Sequence, residues 1–207
     1  MNRDLAARSA QFFVGLIGVG LGAALMIDAH VGLSPWDVLH QGIHKHVNVG
    51  IGTVSIVVGL LLFVLWIPLR QRVTVGTAIN IAVIGVAINQ FLRLDFHPHG
   101  AVAYGACILG DVVISAGGGI YIGAGLGTGP RDGLMTGLVD RGLPLRTVRT
   151  VIELTVLAVG WALGGNVGFG TVLFAVTVGP ILHFVLHRVD RGKYGFAEEA
   201  FPPPAVS

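Results

Sequence analysis

Gly32-Leu33-Ser34-Pro35-Trp36-Asp37-Val38-Leu39-His40-Gln41-Gly42-Ile43 is a short polar island between two long apolar runs. Ninety-five residues later the chain reads Gly127-Thr128-Gly129-Pro130-Arg131-Asp132-Gly133-Leu134-Met135-Thr136-Gly137-Leu138. Five of the twelve positions are identical: Gly, Pro, Asp, Leu and Gly at 32/127, 35/130, 37/132, 39/134 and 42/137. Each segment is written as a helix start. Ser34 is placed to cap, Pro35 takes the first helical position and Asp37 the third, an arrangement close to a capping box. Gly129, Pro130 and Asp132 take the same places in the second copy. Segments of this length, about 35–46 and 130–141, cannot cross a bilayer that needs roughly 20 residues. Both are expected to be half-helices or re-entrant segments, covered by protein or facing a watery cavity, because lipid leaves exposed backbone unpaired.

The surroundings are those of a membrane protein. Of 207 residues, 53% are hydrophobic and 12% charged, against about 25% charged in soluble domains. The 32 glycines suit close helix packing in lipid. A formal charge of +2 is too small to imply nucleic acid, and the lone Cys107 has no intramolecular disulfide partner. Six apolar runs are long enough to span: near Ala10–Ile27, Ile51–Leu69, Val75–Leu92, Ala101–Ile122, Thr147–Gly165 and Phe169–His187. The first lacks a clear small-x-small cleavage site and leads straight into the motif, so it reads as a span rather than a signal peptide. The expected fold is all-α and polytopic, with about six transmembrane helices plus two short half-helices.

Basic residues orient this plan. With six crossings and an inside N-terminus, eleven Lys and Arg fall inside and two, Lys45 and Arg93, outside, a strong positive-inside bias. The expected location is a bacterial plasma (inner) membrane, with both termini cytoplasmic. The repetition also extends past the motif. Trp66 matches Trp161 at the same spacing; after a one-residue slip, Val75-Gly76-Thr77 matches Phe169-Gly170-Thr171 and Gly85 matches Gly179. Three crossings per half insert the second copy upside down, an inverted 3+3 repeat of the kind that places transporter sites at the midplane. The halves are expected at 1–95 and 96–187, followed by a flexible cytoplasmic tail at 188–207.

Gly-Leu-x-Pro-Trp-Asp at 32–37, Gly-Ile-Gly-Thr at 50–53, Gly-x-Gly-Pro-Arg-Asp-Gly-Leu at 127–134 and the Gly-Thr pairs at 76–77 and 170–171 resemble the YczE/YitT-type multipass membrane proteins of bacteria. The resemblance covers roughly residues 10–187. It implies a plasma-membrane location and a multipass helical fold, and it assigns no activity and no site residues.

Ionisable groups at membrane depth are costly and mark functional sites by default. Asp111, midway in the fourth run, is the sharpest: a proton or cation relay, or a carboxyl bonded to a neighbouring helix. Glu153 reads first as the i+4 partner of Arg149. Asp37 and Asp132 read first as caps; the second reading has both flank a central cavity and bind a cation or proton, beside Pro35 and Pro130. Trp36 is replaced by Arg131 in the second copy, which makes the halves chemically unequal. Arg131 is either a topology charge or a ligand for an anionic group. His40 and His44 share a helical face, but no third ligand stands near, so pH sensing is preferred to metal binding. Asn80, Asn89 and Gln90 are expected to bond across helices. No Walker loop, dinucleotide fingerprint, His-Glu-x-x-His or serine elbow is present, so neither an enzyme nor a cofactor is expected. The leading expectation is a small-solute transporter or permease, coupled to protons through Asp111. Its partners are the bilayer, an unidentified small solute or ion and, through glycine faces, a second copy as a minor expectation. The alternative is a non-transporting scaffold or regulator.

Overall fold

The computed structural model describes residues 3–71 and 73–189. The proline-rich tail from residue 190 onward, expected to be flexible, lies outside the described residues, as does Arg72. Eight helices follow one another: α1 (Arg3–Ala29), α2 (Pro35–His44), α3 (Ile51–Leu69), α4 (Val75–Leu92), α5 (Ala101–Gly123), α6 (Pro130–Val139), α7 (Leu145–Ala162) and α8 (Phe169–Val189). The order long, short, long, long occurs twice. There is no strand among the described residues. Five helices (α1, α3, α4, α5 and α8) are long and apolar enough to cross a membrane. The sequence reading expected six. The sixth, α7, matches α4 in length at 18 residues, but Arg146, Arg149 and Glu153 stand in its first half. α8 also runs through Arg188, which the sequence reading assigned to the tail.

Glycines set how close the long helices come. A Cβ on Gly15 would lie 2.7 Å from the Gly117 carbonyl oxygen, and one on Gly22 would lie 2.5 Å from that of Gly110. These two contacts run in opposite chain directions, so α1 and α5 cross antiparallel at backbone contact, as small residues permit in lipid. α4 packs on α1 and α8 on α5. Buried Phe12, Leu16, Met26, Ile88 and Leu186 fill the seams between these helices.

The short helices are pinned by exchange. The turn before α2 packs on the start of α8, and the turn before α6 on the start of α4. Gly32 has φ +119° and its Cβ position is 2.8 Å from the Gly168 backbone, so both conformation and space require glycine there. The Gly170 amide donates to the Val31 carbonyl at 3.0 Å. On the other side, a Cβ on Gly76 would sit 1.9 Å from the Leu126 carbonyl oxygen. The far ends are tied as well. Lys45 and His46 donate to the Gly164 and Leu163 carbonyls at the end of α7, and Arg141 donates to the Pro68 and Leu69 carbonyls at the end of α3. Each half-helix therefore has its C-terminus fixed at a helix end and its N-terminus directed into the molecule.

One seam is unequal. α3 lies against α4: a Cβ on Gly85 would meet Ile56 Cγ1 at 2.3 Å and the Gly52 carbonyl oxygen at 2.6 Å. Asn89 locks this seam, accepting from the Gly52 amide at 2.9 Å and donating to Thr53 Oγ1 at 3.0 Å. α7 packs instead on α2 and α6, and a Cβ on Gly179 of α8 would have no neighbour within 4 Å.

Candidate functional site

The N-termini of α2 and α6 meet at one cavity of about 230 Å3. Ser34, Trp36, Asp37 and His40 line it from the first motif, and Gly129, Pro130, Arg131, Asp132, Met135 and Thr136 from the second. Trp36 and Arg131, which occupy matching motif positions, touch: the Arg131 guanidinium lies 5.4 Å from the Trp36 ring centroid, a cation–π distance.

Both motif carboxylates are engaged at their own helix starts. Ser34 Oγ donates to Asp37 Oδ2 at 2.5 Å and accepts from the Asp37 amide at 3.3 Å. Asp132 Oδ2 accepts from the Gly129 amide at 3.0 Å and from the Tyr121 hydroxyl of α5 at 3.2 Å. Capping and cavity-lining are thus geometrically compatible, and these residues do both. Asp37 Oδ1 also stands 3.4 Å from His40 Nδ1. At the α7 wall, Arg149 donates to Glu153 at 3.0 Å, and both line the cavity. Arg131 belongs to neither of these wall ion pairs.

Among the described residues, five buried side chains carry a polar atom without a protein hydrogen-bond partner: Trp36 Nε1, His40 Nδ1, Asn80 Nδ2, Asp111 Oδ1 and Ser115 Oγ. Four of them (Trp36, His40, Asn80 and Ser115) line this cavity, and each is at most 5% exposed. His40 Nδ1 has Asp37 Oδ1 within ion-pair distance; a buried polar atom left unpaired costs on the order of 1–3 kcal/mol, so the other three around one space mark a place built to receive something polar.

The sequence candidates divide accordingly. Trp36, Asp37, His40, Pro130, Arg131, Asp132 and Glu153 are brought together at the cavity, while Asp111 and Pro35 are not on its wall. Asp111 is buried in α5 and accepts from Thr177 Oγ1 of α8 at 2.6 Å, the geometry of a carboxyl bonded to a neighbouring helix. Asp111→Asn keeps an acceptor for Thr177. Its expected cost is under about 1 kcal/mol in an unfolding measurement, whereas Asp111→Leu loses the acceptor and should cost about 1–3 kcal/mol. His44 does not join His40: its Nδ1 lies 2.7 Å from the Val49 carbonyl oxygen. Sequence reasoning missed Ser115 and Tyr121. The available signal was a stripe: Ile114, Ser115, Gly118, Tyr121 and Ile122 fall at helical spacing on α5, and all line the cavity.

The chain belongs to the family of unknown function DUF6198, whose model matches residues 6–187. It is 38% identical to the uncharacterized membrane protein YczE of Bacillus subtilis (strain 168), over 90% of this chain and 88% of that protein. It is 35% identical to an uncharacterized protein of Haemophilus influenzae, over 87% of this chain and 83% of that one. A third relative, the uncharacterized protein YyaS of B. subtilis, is 26% identical over 86% of this chain. No solved structure matches the chain. The multipass membrane class and the YczE-type resemblance stand on these matches and on the five long apolar helices.

Proposed function

We propose that this membrane protein is a small-solute permease whose binding site is the cavity between the two half-helices. The observation that carries the reading is the convergence of three buried polar side chains without a partner, Trp36, Asn80 and Ser115, on a space walled by both motifs. Drug-sized ligand sites run about 300–1,000 Å3; about 230 Å3 suits a small metabolite or ion. In this reading α7 is the sixth crossing, with Arg149 and Glu153 neutralising each other against the cavity rather than against lipid.

The same reading treats the chain as an inverted repeat. Adding 95 to Gly15 and Gly22 gives Gly110 and Gly117, and the contacts Gly15–Gly117 and Gly22–Gly110 exchange under that operation. The ties of α2 to the end of α7 and of α6 to the end of α3 exchange likewise. The unequal seams then represent one state of an alternating cycle, with α3 closed on α4 and α7 parted from α8.

Proton coupling in this scheme belongs to the Asp37–His40 pair on the cavity wall. His40→Gln, which removes the ion-pair partner of Asp37, should reduce the dependence of uptake on an imposed proton gradient in proteoliposomes while the protein stays folded. If the dependence survives in His40→Gln and disappears in Asp111→Asn, Asp111 is the relay instead.

The direct test of the function is a thermal-shift screen of the purified protein against small metabolites and ions, followed by uptake of each hit. A ligand at 100 times its Kd adds about 2.7 kcal/mol of stability. Hits that bind and are not moved across the bilayer would remove the permease reading. An absence of hits together with a co-purifying protein partner would favour the scaffold.

A further inference from the structure

Apart from His40 Nδ1, which stands 3.4 Å from Asp37 Oδ1, the unsatisfied groups on the wall can all donate. Trp36 Nε1 is a donor only, the Asn80 Nδ2 amide is a donor, and the Ser115 hydroxyl can donate. Arg131 adds a guanidinium, which has donors and no acceptor, and it lies over the Trp36 ring rather than against a carboxylate. The wall carboxylates each already accept at least one hydrogen bond. Asp37 takes Ser34, Asp132 takes Gly129 and Tyr121, and Glu153 takes Arg149. Two ten-residue helices also begin at this space, with Asp37 and Asp132 in their first turns. The rest of the wall is apolar, with Val19, Ile81, Ile84, Phe174, Val178 and Leu182 among its residues.

We propose that the site takes a small amphipathic anion: an oxyanion head held by Arg131, Trp36 Nε1, Asn80 and Ser115, and a short apolar body against the α1, α4 and α8 side chains. The proposal deepens the permease reading and rests on the cavity being a solute site. Asp37 and Asp132 keep their negative charge, and each stands at the start of its own half-helix, where the helix dipole offsets it. Arg131 supplies the positive charge that no wall carboxylate takes up as an ion pair. The second-copy change from Trp to Arg at this motif position thereby becomes the specificity element.

The full chain in nanodiscs is titrated with hexanesulfonate, hexylammonium and hexanol by calorimetry. These three probes share an apolar body and differ in the head. Hexanesulfonate should bind at least about ten-fold more tightly than hexylammonium or hexanol, the scale of one charge-assisted hydrogen bond. Arg131→Gln should weaken hexanesulfonate at least about ten-fold and leave hexanol unchanged. Trp36→Phe keeps the ring and removes the donor, and it should weaken hexanesulfonate a few-fold; it serves as the second variant if Arg131→Gln does not fold. Preference for hexylammonium, equal binding of all three, or no binding of hexanesulfonate at millimolar concentration would overturn the proposal. Uptake of hexanesulfonate into proteoliposomes separates the two claims. Binding without uptake removes the permease and leaves the anion site, whereas uptake of a cationic solute with no anion binding does the reverse.

Discussion

Gly179→Leu should fold normally and stop transport, while Gly85→Leu at the matching position should not fold. The two glycines occupy equivalent places in the two copies, on α8 and α4. At Gly85 a Cβ would meet Ile56 Cγ1 at 2.3 Å and the Gly52 carbonyl oxygen at 2.6 Å. A side chain there must push apart two helices that touch at the backbone, and the Asn89 bonds that span them break as well. Overpacking of this kind costs about 1–3 kcal/mol for added methylenes, and a whole leucine exceeds that range. At Gly179 nothing lies within 4 Å. Leucine there replaces glycine inside a helix, which is neutral to favourable by up to about 1 kcal/mol. Stability alone would thus leave Gly179 free to vary. The proposed alternating scheme does not: in that scheme α7 would close on α8, with Val151 approaching Gly179 as Ile56 approaches Gly85 in the closed seam. A leucine at 179 then blocks the second state. Unfolding in detergent should show Gly179→Leu within about 1 kcal/mol of the parent, with solute binding intact and uptake reduced at least about ten-fold. Normal uptake by this variant would sink the proposed motion.

Much of this was legible in the sequence because it rests on length, polarity and spacing. α3 and α4 are found with the expected bounds, since Gly50 and Thr74 precede them and charged or proline-containing turns follow. The half-helices were readable from Ser34-Pro35-Trp36-Asp37 and Gly129-Pro130-Arg131-Asp132, because capping chemistry is local. The shared cavity was expected as the second reading of Asp37 and Asp132. The surroundings of Asp111 were not legible. A carboxyl in an apolar run is conspicuous, yet which face of α5 it occupies depends on where α8 docks, and Thr177 lies 66 residues away. Ser115 escaped notice for the opposite reason: a serine among glycines looks like packing until its hydroxyl is seen buried at a cavity without a partner. The α7–α8 opening was invisible for a further reason. Gly85 and Gly179 are the same letter in matching places, and only the neighbouring helix's position tells a filled seam from an empty one.

Trp66→Ala should cost about 3–5 kcal/mol and Trp161→Ala almost nothing, although the two tryptophans match at the repeat spacing. Trp66 is 2% exposed and donates from Nε1 to the Pro130 carbonyl at 3.0 Å. It fills the space opposite Gly133, where a Cβ would lie 2.0 Å from the indole. Truncation removes an aromatic ring from a closed site and leaves a cavity beneath α6, the situation in which Trp→Ala costs about 3–5 kcal/mol. Trp161 is 68% exposed. The reason lies in the partner half-helix. The first motif has Val38 where the second has Gly133, and Val38 is fully buried against α7, with its carbonyl oxygen 2.2 Å from a Cβ built on Gly165. The bulk sits on the long helix in one copy and on the short helix in the other, so the matching tryptophan turns outward. An outward tryptophan at the end of α7 suits a membrane interface if α7 is the sixth crossing, as proposed, and its removal should change stability by less than about 1 kcal/mol. Because Trp66 holds the first turn of α6, its loss should also loosen Arg131, so residual folded Trp66→Ala protein should bind hexanesulfonate more weakly, whereas Trp161→Ala should bind it as the parent does. Equal destabilisation by the two variants would mean that the two half-helices are held alike, against the size exchange between Val38 and Gly133.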